Sequence, residues 1–234
     1  LSTLAQAIGS GVAASRPAAG IAGRLYFATD TGKIFWDNAA AWVDVTPPSG
    51  GGGAAAALVL LEEHSASNSA ELDFTAWYSS TYDLYQIEIV NLIPVTTNTN
   101  VLLQFSTNGG SSYDGSSIYS WQSTIWVNNG QAQDGYANQA YITLNGNGIG
   151  SRPMSNNVAY GGLVGSYKLY NPGSTASYKL LHGEADTYNT GAGQFMGLVL
   201  GAQYMSVAAV NAFRIYISSG NISSGTVRAF GLTH

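Results

Sequence analysis

The chain has no cysteine. Disulfides and thiolate metal sites are therefore excluded, and stability must come from burial, hydrogen bonds or contacts between copies. Charge is scarce too: Asp, Glu, Lys and Arg make up 9% of the residues, against about 25% in an ordinary soluble domain. Eight Lys and Arg, scattered singly, face thirteen Asp and Glu for a net charge of −5. No basic stripe is available to follow a phosphate backbone, so nucleic acid is not an expected partner. No run of about 18 apolar residues occurs, and no basic segment leads into an apolar one, so membrane insertion and a signal peptide are not expected either. A Gly-x-Ser-x-Gly elbow, a phosphate-binding glycine loop and a dinucleotide fingerprint are all missing. The first residue is Leu rather than Met, which leads to the expectation of a segment upstream.

What fills the 234 residues instead is 29 Gly, 15 Tyr and many Ser, Thr and Asn. A polar but uncharged surface of this kind suits β-structured proteins that pack against copies of themselves. The stretch around which the chain is organised lies at 23–46. Segments 24–28, 33–37 and 41–45 are rich in aromatic and β-branched residues, and Thr29-Asp30-Thr31-Gly32 supplies Asp and Gly where a tight turn needs them. Such a meander is too small to bury a core alone and must lean on something else. Leu25, Phe27, Ile34, Phe35 and Trp36 are the side chains expected to be covered by assembly. Residues 1–22 are expected to form a lead-in or assembly arm. Residues 47–57 (Pro47-Pro48-Ser49, four glycines, then alanines) form the expected linker, where two prolines stiffen the chain and glycines loosen it.

From 58 to 234 strand signals dominate, at 57–63, 70–74, 84–92, 100–106, 117–127, 139–144, 159–170, 177–185, 195–204, 212–218 and 225–232. Turn chemistry separates them, as in Asn108-Gly109-Gly110, Asn129-Gly130, Asn145-Gly146-Asn147-Gly148, Asn171-Pro172-Gly173 and Gly220-Asn221. No segment has convincing helical periodicity. Tyr167-Lys168-Leu169 recurs as Tyr178-Lys179-Leu180 across a short loop, which predicts a hairpin. Period two places Ile87 and Ile89 inward with Gln86 and Glu88 outward, and Phe213, Ile215 and Ile217 on one face. The expected fold is all-β: an N-terminal β-hairpin or meander module followed by a jelly-roll-like antiparallel β-sandwich.

Candidate chemistry is sparse. Asp30-Thr31-Gly32 matches the triplet of aspartic proteases, but those need two aspartates sharing a proton; with a single copy the triplet reads as a turn. His182, Glu184 and Asp186 alternate along one strand and should point to one side. With no second cluster to complete a site, they read as a solvated strand face, and neither a cofactor nor a metal is expected. A glycosidase would need two carboxylates flanking the scissile bond, and Glu71, Asp73, Asp83, Glu88, Asp114, Asp134, Glu184 and Asp186 offer pairs without choosing among them. Aromatics crowd the stretch 77–126. Flat rings with polar edges suit sugar faces as well as cores and interfaces, which makes Trp77, Tyr78, Tyr82, Tyr113, Asp114 and Trp126 the candidate binding residues. The loop 108–117, rich in Gly, Ser, Tyr and Asp, has the composition of an adaptable binding loop, while a long polar loop of the sandwich is the favoured reading.

Ser15-Arg16-Pro17, Gly20, Gly23-Arg24-Leu25-Tyr26-Phe27-Ala28-Thr29-Asp30-Thr31-Gly32, Phe35-Trp36 and Trp42-Val43-Asp44-Val45 together resemble a short module of tailed-bacteriophage virion proteins, particularly tail fibres, spikes and head-decoration fibres. Tyr82-Asp83-Leu84-Tyr85, Phe105-Ser106-Thr107-Asn108-Gly109-Gly110-Ser111-Ser112-Tyr113 and the ending Ser224-Gly225-Thr226-Val227-Arg228-Ala229-Phe230-Gly231-Leu232 resemble a β-rich domain of similar proteins. The resemblance implies a non-enzymatic, homotrimeric virion-surface protein, assembled in the host cytoplasm and docked on capsid or tail proteins, and the loops and aromatics add the expectation that it recognises a host surface glycan or another envelope component. A decoration protein with no host ligand, and a glycan-cleaving spike, are the alternatives.

Overall fold

The computed structural model describes residues 8–46, 57–127, 130–146, 153–191 and 193–232. The expected linker, apart from Ala57, lies outside these residues, as do 1–7 of the lead-in, the turn residues Asn129, Asn147 and Gly148, and His234. The chain divides into two compact units, Leu1–Ala55 and Ala56–His234. Both are built from β-strands.

In the first unit, β1 (Ile8–Gly11), β2 (Leu25–Ala28), β3 (Lys33–Asp37) and β4 (Trp42–Asp44) form one sheet in that order. The three-stranded meander is present with boundaries within a residue of those expected. Its fourth strand comes from the lead-in: β1 lies parallel to β2, Ile8 opposite Leu25 and Gly11 opposite Ala28. Residues 8–11 of the expected lead-in or assembly arm are thus paired within their own chain. The sheet obtains a core from the loop that joins β1 to β2. Arg16 lies over the Phe35 ring at 3.9 Å, Trp42 Nε1 donates to Pro17 O at 2.7 Å, and Tyr26 Oη donates to Val12 O at 3.0 Å. Asp37 is buried beneath this loop and accepts from the backbone N–H of Gly20, Ile21 and Ala39 and from the Arg24 guanidinium, the shortest of these at 2.5 Å. The residues that make the segment distinctive in sequence therefore fasten a loop over one face of a small sheet. Asp30 belongs to the β2–β3 turn, and its carboxylate accepts from the Ala13 N–H.

The second unit is a sandwich of two antiparallel sheets. Its strands are β5 (Leu58–Ser69), β6 (Glu71–Phe74), β7 (Leu84–Pro94), β8 (Val101–Ser106), β9 (Tyr119–Val127), β10 (Gly130–Gln139), β11 (Ile142–Thr143), β12 (Leu163–Tyr170), β13 (Lys179–Asn189), β14 (Gln194–Tyr204), β15 (Ala212–Ile217) and β16 (Ile222–Leu232). The large sheet runs β10-β9-β14-β13-β12-β7-β16-β5, and the small one β11-β8-β15-β6. All eleven expected strand segments are occupied. One strand, β10, was not expected: Gly-Gln-Ala-Gln-Asp-Gly-Tyr-Ala-Asn-Gln offers neither apolar alternation nor β-branched residues. It forms because it sits at an edge, where the ladder to β9 holds it and most of its side chains are exposed.

Period two decides which side chains face the small sheet. Along β9, β13 and β14 the inward set is Tyr119, Trp121 and Ile125, Leu181 and Ala185, and Met196, Leu198, Leu200 and Tyr204, all buried. They join Phe74, Leu103, Phe105, Phe213 and Ile215 of the small sheet in one core. Phenols in that core need partners for their hydroxyls. Tyr167 donates to Leu144 O at 2.7 Å, Tyr204 to Asp114 at 2.9 Å, Tyr119 to Asp114 O at 3.0 Å, and Tyr85 to Ser79 O. The hairpin of β12 and β13 is present, with Tyr167 opposite Gly183 and Lys168 opposite His182. Its repeated lysines lie on opposite faces. Lys168 points outward, whereas Lys179 is buried with its ammonium on the carbonyls of Ser174, Ser177 and Ser206.

Asp37 generates a prediction about the first unit. Burial pushes its carboxyl up, but the Arg24 guanidinium and the three backbone N–H groups outweigh burial and hold it at about 2, below its ordinary 3.8. The unfolded chain therefore takes up the proton first on acidification. The contribution is complete above pH 3.8 and disappears as pH falls to about 2. Protection of the Tyr26 to Ala28 amides against hydrogen exchange, taken relative to an unstructured peptide at the same pH, should fall across that window in the wild-type chain, and should already be lower at neutral pH in Asp37→Asn. Equal protection in the two proteins at neutral pH would show that the carboxylate does not hold the unit together.

Candidate functional site

Five of the six candidate binding residues are committed to structure. Trp77 is fully buried, its ring 4.6 Å from Tyr85 and 5.2 Å from Phe213. It is a core residue, not a ligand platform. Tyr78 and Tyr82 are half-buried against the same Tyr85 ring, at 6.2 and 5.9 Å. They cover Gly173 and Gly231, where a Cβ would collide with each ring. Tyr113 lies under Arg214, whose guanidinium is 3.9 Å from the ring centroid and also binds Asp73 and Glu71. Burial and the adjoining Asp73 push the Tyr113 phenol up to about 12. Asp114 pins the 108–117 loop by accepting from Ser116 N–H, Ser116 Oγ and Tyr204 Oη, and although burial raises its pKa these bonds hold it below the ordinary value. Asn108 bonds Ser106 and Ser112 within the same loop. A loop so cross-linked is a fixed brace for the core, not the adaptable binding loop its composition suggested.

Trp126 is different. It projects from β9 with 48% of its surface exposed, and it stands on the outward face of the large sheet. That face can be assembled row by row from the ladder register. Across β9, β14, β13 and β12, one row reads Gln122, Gly201, His182, Lys168; the next Thr124, Val199, Glu184, Ser166; the third Trp126, Gly197, Asp186, Val164. His182, Glu184 and Asp186 do share one exposed side, as their spacing required. Among the described residues, no group of three His, Cys, Asp or Glu is gathered to hold a metal ion.

The middle of this face is floored by glycine. On β14 the outward positions alternate Phe195, Gly197, Val199, Gly201 and Gln203, so two positions of a central strand carry no side chain. Glycine in a strand interior weakens it and commonly marks close approach by a ligand or another backbone. Two depressions lie on either side of Val199, with others beside Lys168 and beside Phe195. The larger, of about 920 Å³, lies over Gly201 and is lined by Gln122, Gln133, Tyr170, Leu180, His182 and Gln203. The smaller, of about 370 Å³, lies over Gly197 and is lined by Trp126, Val164, Glu184 and Asp186. A Cβ on Gly201 would meet nothing within 4 Å, so the large depression is open space above the backbone rather than a packed crevice. Amide side chains, an imidazole and a phenol around such a floor can exchange hydrogen bonds with hydroxyls, while Leu180 and Tyr170 offer apolar area.

Sequence reasoning looked for the site among the aromatics of 77–126 and missed the glycines of β14. The signal was available: in Phe195-Met196-Gly197-Leu198-Val199-Leu200-Gly201-Ala202, both glycines fall on the positions opposite the apolar set. On the first unit, the expected assembly residues divide. Leu25, Phe27, Ile34 and Trp36 share one face, joined by Val43, with Leu25 opposite Trp36, Phe27 opposite Ile34, and Leu25, Phe27, Trp36 and Val43 exposed. Phe35 points to the other face, beneath Arg16, and is removed from the set.

The two tryptophans now make opposite predictions. Trp77→Ala empties a fully buried site and should cost about 3–5 kcal/mol of stability, whereas Trp126→Ala should change it by no more than about 0.5 kcal/mol. Thermal or denaturant unfolding of both variants checks this; a comparable loss for Trp126→Ala would mean that its ring is buried in the protein as it exists.

Compared with known proteins, the chain matches no family model, no curated protein and no solved structure.

Proposed function

We propose that this protein is a non-enzymatic recognition protein of a phage virion surface, of fibre or decoration type, that binds a host surface glycan in the glycine-floored groove of its large sheet. The observation that carries the binding reading is Gly201: a side-chain-free position in a central strand, under a groove of about 920 Å³ whose rim carries hydroxyl-binding and apolar groups. The virion setting rests on the resemblance of the N-terminal segment, together with the low charge and absence of cysteine. Cleavage is not favoured. A glycosidase needs its two carboxylates on either side of the bond, and Glu184 and Asp186 stand next to each other along one strand, approaching from the same side.

Assembly belongs to the first unit in this reading. Its exposed face of Leu25, Phe27, Trp36 and Val43 is apolar and has no cover within its own sheet, and association of copies as a homotrimer would remove it from water. A decoration protein without a host ligand would share this face but have no use for the groove.

Two measurements test the reading. On an array of bacterial surface glycans the intact chain should retain at least one class, and Gly201→Val, which fills the floor without disturbing the core face, should weaken retention roughly tenfold or more. No retained glycan, or undiminished binding by Gly201→Val, would overturn the groove. Light scattering should give a mass three times that of one 24.4 kDa chain, reduced by Phe27→Ser with Trp36→Ser. An unchanged mass in that variant would remove the assembly face.

A further inference from the structure

The smaller depression differs chemically from the larger. Its floor is Gly197, and the ladder places Trp126 on one side of that glycine and Asp186 on the other. Neighbouring strands are about 4.8 Å apart, so the two backbones stand roughly 10 Å apart on either side of a position with no side chain of its own, and the indole and the carboxylate both line the depression above it. The Asp186 carboxylate leans into this gap: a Cβ built on Gly197 would lie 2.9 Å from its Oδ1. Glu184 lines the same depression one outward position along β13, and Val164, beside Asp186 on β12, brings no charge. Lys168 stands two rows from Asp186, next to His182. The slot thus combines an exposed indole, two carboxylates and an apolar wall. An indole face attracts cations through its quadrupole, and carboxylates bind ammonium through charge-assisted hydrogen bonds.

We propose that this slot binds the protonated amino group of an amino sugar, with Trp126 packing on the sugar face and Asp186 holding the ammonium. The assignment rests on the groove reading and deepens it: the glycan taken by the large depression carries, one residue along, an unacetylated amino sugar. Glu184, opposite Val199 and one row from Asp186, adds negative potential to the same slot. Neutral sugars and N-acetylated ones leave Asp186 without a cationic partner, so the slot discriminates by charge.

The test follows the Trp126 indole N–H by NMR in the intact chain, assigned by its loss in Trp126→Phe, while glucosamine, N-acetylglucosamine, glucose and methylammonium are added below neutral pH. Glucosamine should shift the signal saturably. Glucose and N-acetylglucosamine should bind at least roughly fivefold more weakly, and so should glucosamine to Asp186→Asn or Gly197→Val. No saturable shift with glucosamine, an equal response to glucose, or full retention in Asp186→Asn overturns the proposal. Methylammonium binding as tightly as glucosamine overturns its sugar part. If the array still shows binding that Gly201→Val abolishes, any of these failures sinks the ammonium assignment alone; if that binding is absent too, the groove reading falls with it.

Discussion

The second unit depends on burying one face of an eight-stranded sheet under only four strands. Aliphatic side chains alone would leave a thin filling across so wide a sheet, and the chain uses large rings instead: Trp77, Tyr85, Tyr119, Trp121, Tyr167 and Tyr204 all lie inside. Each buried phenol gains area and requires an acceptor, and those acceptors are what fix the surrounding loops. Tyr119 and Tyr204 both reach Asp114, so the loop between β8 and β9 is held in place by two rings of the core. Tyr85 holds Ser79 in the same way, and Tyr167 holds Leu144. With no disulfide and few charges available, hydroxyls tied to loop carbonyls and to the Asp114 carboxylate take the part of cross-links.

The same constraint separates what was legible in the sequence from what was not. Strands of strict alternation, such as Gln86-Ile87-Glu88-Ile89, announce both their existence and their inward face, because burial on one side demands it. The meander of the first unit was legible for its turn residues, and so was the common face of His182, Glu184 and Asp186. Strand order was not. Nothing local to β14 says that it lies between β9 and β13, since that placement is decided by which apolar faces complete one core. β10 escaped notice because an edge strand held by its ladder needs no apolar pattern of its own.

The candidate binding residues divide for a related reason. Rings with polar edges suit a sugar face, an interface or a core alike, and the structure places five of the six candidate positions in the core or in a braced loop. Trp77 has no distinguishing mark from Trp126 except its environment. The positions that make the groove are defined by a lack of side chain, and their meaning appears only when the neighbours on β9 and β13 are known. Two glycines in a strand are unremarkable by themselves; placed in line with Trp126 and Asp186 or with Gln122 and His182, they become a floor.

That floor lies on strands, not on loops, and this has a consequence for how the protein can change. Alternation assigns even-numbered positions of β9 and β13 to the groove and odd-numbered ones to the core, while β14 reverses the parity. A substitution at an outward position alters the lining of the groove and spares the core face, so the chemistry of the groove and the packing of the core are set by separate residues. An insertion of one residue has the opposite effect: it exchanges the two faces along the rest of the strand and exposes the core.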